Sequence, residues 1–243
     1  MSESKFGRRD FIKTAVVGGA AAASAAGGIA SKDAQAQEQA ANAAAQTAPP
    51  LAEGYAFLNL EEAAFVEALV DHMIPADEFT PKGTDVGVNI FIDRALAGAW
   101  GKGDRLYRQG PWREGVPAQG YQLPLTPAEL YREGIKRTNA HCRAAYGRSF
   151  DTIAAAQREE VLMALSSRAI DFGSEAVARE FWNILYQTVM EGMFSDPIYG
   201  GNRNKAGWRL IGFPGVIAFN RENVKNYLDR ELPGEPISIE DMS

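Results

Sequence analysis

Residues 174–202 read SEAVAREFWNILYQTVMEGMFSDPIYGGN, and this stretch decides the fold. Ser174 stands where a helix cap belongs. Beyond it Val177, Phe181, Trp182, Ile184, Leu185, Val189 and Met193 recur at helical spacing. They spread over more than half of the helix circumference. Only a narrow edge of Glu180, Asn183, Gln187 and Glu191 is polar. A helix that is apolar on most sides is expected in the middle of a helical domain. The helix stops at Phe194-Ser195-Asp196-Pro197, where proline and the pair Gly200-Gly201 supply turn chemistry.

Working outward, two helix starts are marked by reciprocal caps. Asn59 with Glu62 opens one helix, whose stripe is Phe65, Val66, Leu69, Val70 and Met73, and Pro75 ends it. Thr126-Pro127-Ala128-Glu129 opens another, running to about Tyr146. Its face Tyr131, Ile135, Thr138, Cys142 and Ala145 is opposed by Arg132, Lys136 and Arg143. Asp85 is expected to cap a helix carrying Val88, Phe91, Ile92 and Leu96. Residues 154–166 form a further helix with Val161, Leu162 and Leu165 inward, and residues 221–228 a short last one. No alternation of strand length is present. The predicted class is all-α, a single helical domain of five to seven helices over residues 57–230, with long irregular loops and an acidic tail at 231–243.

The start of the chain is not expected to belong to the fold. Gly7-Arg8-Arg9-Asp10-Phe11-Ile12-Lys13 precedes an apolar run from Thr14 to Ala30, and Ala34-Gln35-Ala36 is a small-x-small cleavage site. Charged head, apolar middle and small-residue exit make a secretory signal over residues 1–36. The paired Arg8 and Arg9, with Phe11 and Lys13, make it the twin-arginine kind, which takes folded chains. Residues 37–56, rich in Ala, Gln, Asn and Pro, read as a flexible leader. The expected location is the periplasm.

Charge and composition narrow the function. The chain counts 25 Lys and Arg against 31 Asp and Glu. Residues 1–36 hold Lys5, Arg8, Arg9, Lys13 and Lys32 against Glu3, Asp10 and Asp33, so the mature part keeps 20 basic and 28 acidic residues. Such a balance disfavours nucleic acid. One cysteine and two histidines, His72 and His141, leave no ligand set for an iron–sulfur cluster or attached haem. No glycine-rich dinucleotide or phosphate motif occurs. Asp71, His72, Asp77 and Glu78 cluster in sequence, but the first two diverge on a helix by about 100°, and the reading there is a solvated helix end. No nucleophile, base and orienter stand together, so no catalytic residue is assigned.

Three features invite a partner. Residues 98–125 hold Trp100, Tyr107, Trp112 and Tyr121 with Arg105, Arg108 and Arg113 between them; residues of these types anchor interfaces, and they also pack on their own helices. The Asp196–Asn202 run reads as a rigid turn, with partner contact at Asp196, Tyr199, Gly200, Gly201 and nearby Trp208 as the functional alternative. Cys142 is an odd cysteine in an oxidising compartment. It reads either as a buried inert thiol or as an intersubunit disulfide.

Several segments carry a resemblance. They are His72-Met73-Ile74-Pro75-Ala76-Asp77, Phe91-Ile92-Asp93-Arg94-Ala95-Leu96, and above all Glu191-Gly192-Met193-Phe194-Ser195-Asp196-Pro197-Ile198-Tyr199-Gly200-Gly201-Asn202. With Gly207-Trp208 and Gly212-Phe213-Pro214-Gly215 they resemble the gluconate 2-dehydrogenase subunit 3 family from about Phe57 to Pro214. The resemblance implies a non-catalytic small subunit of a periplasmic dehydrogenase complex for sugars or sugar acids. In such a complex a large subunit holds FAD and a multihaem cytochrome with haem c carries electrons onward. The small subunit supplies the signal read by the twin-arginine translocase. The alternatives are a stand-alone periplasmic binding or scaffold protein, and an enzyme with an unrecognised site.

Overall fold

The computed structural model describes residues 54–113, 116, 119–216, 221–230 and 234–242. The signal residues Arg8, Arg9, Phe11, Lys13, Ala34 and Ala36 lie outside them. Among the described residues there is no strand, only an isolated bridge between Gly215 and Ile237, and the class is all-α.

Helix α1 spans Leu60–Met73. The Asn59 side chain accepts from the Glu62 amide, and the Glu62 carboxylate accepts from the Asn59 amide, both at 3.0 Å. Two of the donors that a helix start leaves without partners are thereby satisfied. Phe65, Val66, Leu69 and Val70 have no exposed surface. The helix leaves its axis at Ile74, ahead of Pro75.

The next segment departs from expectation. Asp85 does not cap one helix; it lies inside α2 (Gly83–Val86), and Gly87 at φ +83° separates this turn from α3 (Val88–Ala97). The cause is tertiary. A Cβ at Gly87 would stand 2.5 Å from the carbonyl oxygen of Gly200, so a residue without one is needed where the two backbones meet.

Helix α4 (Pro127–Tyr146) opens on the reciprocal Thr126–Glu129 cap and closes on Gly147 at φ +74°. Leu130, Tyr131, Ile135, Thr138 and Cys142 are buried, whereas Ala145 lies beyond the core and is exposed. Helix α5 (Ala155–Ser166) starts with the Ala154 amide bonded to the Gln157 side chain at 3.0 Å and buries Val161, Leu162 and Leu165.

Helix α6 (Glu175–Phe194) packs against α3, α4 and α5. The Tyr131 hydroxyl bonds the Thr188 hydroxyl between α4 and α6. A Cβ at Gly134 would overlap the Phe181 ring, so this glycine sets how closely the two helices approach. The helix is not buried on most sides, however. Ala178, Phe181, Leu185, Val189 and Met193 face inward, while Tyr186 is 47% and Met190 38% exposed. α3, α4 and α5 cover only part of its circumference, and one apolar flank stays open. The remaining α-helices among the described residues are α7 (Ala206–Ile211) and α8 (Asn223–Asn226), the latter shorter than the predicted 221–228.

Both ends of the described domain are tied down. The Asp93 carboxylate on α3, 2% exposed, accepts from the amides of Ala56, Phe57 and Leu58 at 2.7, 2.9 and 3.0 Å. Three converging N–H groups satisfy a buried charge that would otherwise be costly. At the other end, residues of the acidic tail dock rather than trail. The Ile239 amide donates to Asp196 at 2.8 Å, and Asp241 pairs with Lys205 at 2.5 Å. No helix among the described residues is long and apolar enough to cross a membrane.

Candidate functional site

The open flank of α6 becomes a groove. Gln187, Met190, Glu191 and Phe194 recur at i, i+3, i+4 and i+7, so they form one row along the helix. Opposite them, Phe91 and Ala95 stand one turn apart on α3. Trp100 joins from the loop after α3, and Ser195 and Tyr199 join from the turn after α6. The groove has a volume of about 860 Å³. Trp100, Met190 and Tyr199 at its rim are 41%, 38% and 57% exposed.

The Asp-Pro-x-Tyr-Gly-Gly-Asn run builds one wall. Asp196 accepts from the Ile198 amide at 3.1 Å and caps the short 3-10 turn Pro197–Tyr199. Asn202 has no exposed surface and a left-handed φ of +45°. Its amide donates to the Gly192 carbonyl at 2.9 Å, and its Nδ2 to the Ser195 carbonyl at 2.8 Å. Its Oδ1 accepts from the Gly207 amide at 2.8 Å. One side chain thus ties the end of α6 to the start of α7. Gly201 meets the Gly192 carbonyl so closely that a Cβ there would overlap it.

The expected partner residues divide accordingly. Trp100 and Tyr199, 99 positions apart in sequence, come together at the groove. Gly200 and Gly201 are buried and act through backbone approach rather than as contact surface. Trp208 is 4% exposed: its indole N–H donates to the Phe194 carbonyl at 2.7 Å and its ring meets Phe213 edge-on, so it supports the wall from behind. Asp196 is half-buried and spent on the turn and on Ile239. Trp112 lies instead with Arg179 and Glu180 at a smaller recess. Arg108 bonds the Pro124 carbonyl at 3.2 Å, and Tyr107 is 79% exposed. The long loop therefore does not form one aromatic surface.

The sequence reading placed Phe91 on a core stripe and did not single out Ala95, Met190 or Phe194, although all four line the groove. The discernible signal was the placing of Tyr186 and Met190 beside the polar edge Gln187 and Glu191.

Cys142 sits in the domain's own core with no exposed surface, and burial pushes its thiol up to about 11. The face that carries it turns inward rather than toward a partner. A disulfide to another chain would require α4 to part from the core. The acidic and histidine residues near the end of α1 take separate partners. Asp71 accepts from Lys82 at 2.9 Å and from the Thr84 amide at 2.8 Å. His72 pairs with Glu159 at 2.9 Å, and Asp77 accepts from the amides of Phe79 and Thr80. Among the described residues no three His, Cys, Asp or Glu side chains are placed to hold one metal ion.

A family model described as gluconate 2-dehydrogenase subunit 3 matches residues 60–215. The matched range contains every residue of the groove and of its supporting turn. No curated protein and no solved structure matches the chain.

Proposed function

Because the chain belongs to the gluconate 2-dehydrogenase subunit 3 family, we propose that it is the non-catalytic small subunit of a periplasmic, FAD-dependent sugar or sugar-acid dehydrogenase complex. The observation that carries this reading is the open aromatic groove between α3 and α6, held in shape by buried glycines and Asn202. Rigid support beneath an exposed apolar surface is what a docking face needs. The large flavoprotein subunit is the partner expected there, and a multihaem cytochrome c receives its electrons. The large subunit oxidises the substrate; this chain binds that subunit and carries it out of the cytoplasm.

The export part of the reading rests on residues 7–36. A folded-chain signal on a chain without a cofactor motif makes sense if a partner lacking a signal travels with it. The twin-arginine translocase would then read Arg8 and Arg9 for both chains, and the complex would reach the periplasmic face of the membrane. The test replaces Arg8 and Arg9 by lysine and follows both subunits by fractionation. Both are expected to stay in the cytoplasm. A large subunit that reaches the periplasm normally in the double variant would rule out the escort role.

A further inference from the structure

Among the described residues that line the groove one is charged, Glu191, and no described cation pairs with it. Among the described residues its side chain is bonded by the neutral amide of Gln187, at 2.6 Å. No described lysine, arginine or histidine lies within ion-pair distance of it. Phe91, Trp100, Phe194 and Tyr199 line the same groove. Aromatic faces attract a cation through their quadrupole, and a carboxylate adds direct charge. The combination suits the head of an arginine or lysine whose neighbours are apolar.

The shape indicates what carries that cation. The α6 row runs over i, i+3, i+4 and i+7, about two helical turns or roughly 10 Å. The rim is open, since Trp100, Met190 and Tyr199 keep about two-fifths or more of their surface exposed. A trough of this length, open on one side, fits the apolar face of an amphipathic helix. Enclosed small-molecule sites instead bury most of their ligand.

We infer that this groove docks an amphipathic helical segment of the large subunit, with a basic side chain of that segment set against Glu191 between Trp100 and Tyr199. The inference rests on the small-subunit reading and specifies the chemistry of its contact. The anchor residue is apolar on its flanks at helical spacing, and the cation gives the docking its register.

The test uses the co-expressed complex, with a photocrosslinking residue at position 190 and the joined peptide identified by mass spectrometry. The expected peptide belongs to the flavoprotein subunit and contains arginine or lysine flanked by apolar residues at i±3 or i±4. In parallel, Glu191→Gln keeps the shape and removes the charge. Dissociation of the complex is expected to rise about tenfold and to lose part of its salt dependence. The melting temperature of the free chain should stay unchanged, because Glu191 is exposed. Glu191→Lys should weaken assembly further. A crosslinked peptide without a basic residue, or an unaltered dissociation constant in Glu191→Gln, overturns the inference. So does a flavoprotein that co-purifies but never crosslinks at position 190, an outcome that leaves the small-subunit reading intact. If no flavoprotein accompanies the wild-type chain, the small-subunit reading itself fails, and this inference with it.

Discussion

Replacing Asn202 by alanine tests whether the glycine-rich turn is a structural clasp. The side chain satisfies two groups, the Ser195 carbonyl and the Gly207 amide, at 2.8 Å each. Asn202 is wholly buried, so bulk solvent does not reach the two groups it satisfies. Leaving each partner bare costs about 1–3 kcal/mol. Alanine in the left-handed region costs about 1 kcal/mol more, because its Cβ crowds the carbonyl that follows. The expected loss is therefore at least about 3 kcal/mol, or at least about 6 °C in melting temperature for a domain of this size. Glycine at the same position loses the same two bonds but not the backbone penalty. Asn202→Gly should thus be more stable than Asn202→Ala by about 1 kcal/mol, the reverse of the order in a helix. Both variants should also bind the large subunit less well, since Tyr199 stands on the same turn. Calorimetry of the free chain gives the stabilities. A loss below about 1 kcal/mol in Asn202→Ala would refute the clasp. Alanine proving more stable than glycine would show that the left-handed backbone carries no weight.

Gly134→Ala should destabilise the domain by about 1–3 kcal/mol, because the new methyl group would overlap the Phe181 ring between α4 and α6; urea unfolding checks this, and a neutral result means the helices can separate freely. The bonds to Asp241 from Lys205, then from the Ser238 amide and hydroxyl, pull its carboxyl from the ordinary 3.8 down to about 2. A depressed folded value means that the attachment of the tail through Asp241 is complete above about pH 4 and is lost as pH falls toward 2. Protection of the Ser238 amide, taken as its exchange rate relative to the intrinsic rate at each pH, should fall through that window and should be low at every pH in Asp241→Ala, which removes the acceptor; protection that stays constant from about pH 5 to about pH 2 in the wild type would contradict this. Cys142 should resist a thiol reagent at pH 8 in the native chain and react fully on unfolding, since its thiol is buried and its pKa lies near 11. Rapid stoichiometric labelling of the folded chain would place the sulfur at the surface.

The elements whose boundaries depend on neighbours in the chain were legible from residues alone. Asn59 with Glu62, and Thr126 with Glu129, start α1 and α4 where they stand, because a capping bond spans only three positions. The all-α class followed from the same local periodicity, and the motif around Asp196–Asn202 carried the family. The split at Gly87 was not legible. It depends on the carbonyl of Gly200, 113 positions away, and Asp85 offered a local cap that the tertiary contact overrode.

The groove belongs to the same category. Periodicity marks which residues of α6 are apolar, yet it cannot say which of them a neighbouring helix will cover. Met190 and Val189 are equally apolar in sequence; one lines an open trough and the other is fully buried, because α3 packs beside α6 at the distance that Gly192 allows, a Cβ there lying 2.9 Å from Val88. Trp208 and Trp100 likewise read alike as partner anchors, and only the packing of α7 behind the turn made the first a support and left the second at the rim. By itself the sequence determined the all-α class, the capped starts of α1 and α4, the export signal as an expectation, and the family. The tertiary structure decided which apolar surface remains uncovered, since exposure is a property of pairs of elements distant along the chain and not of any one residue.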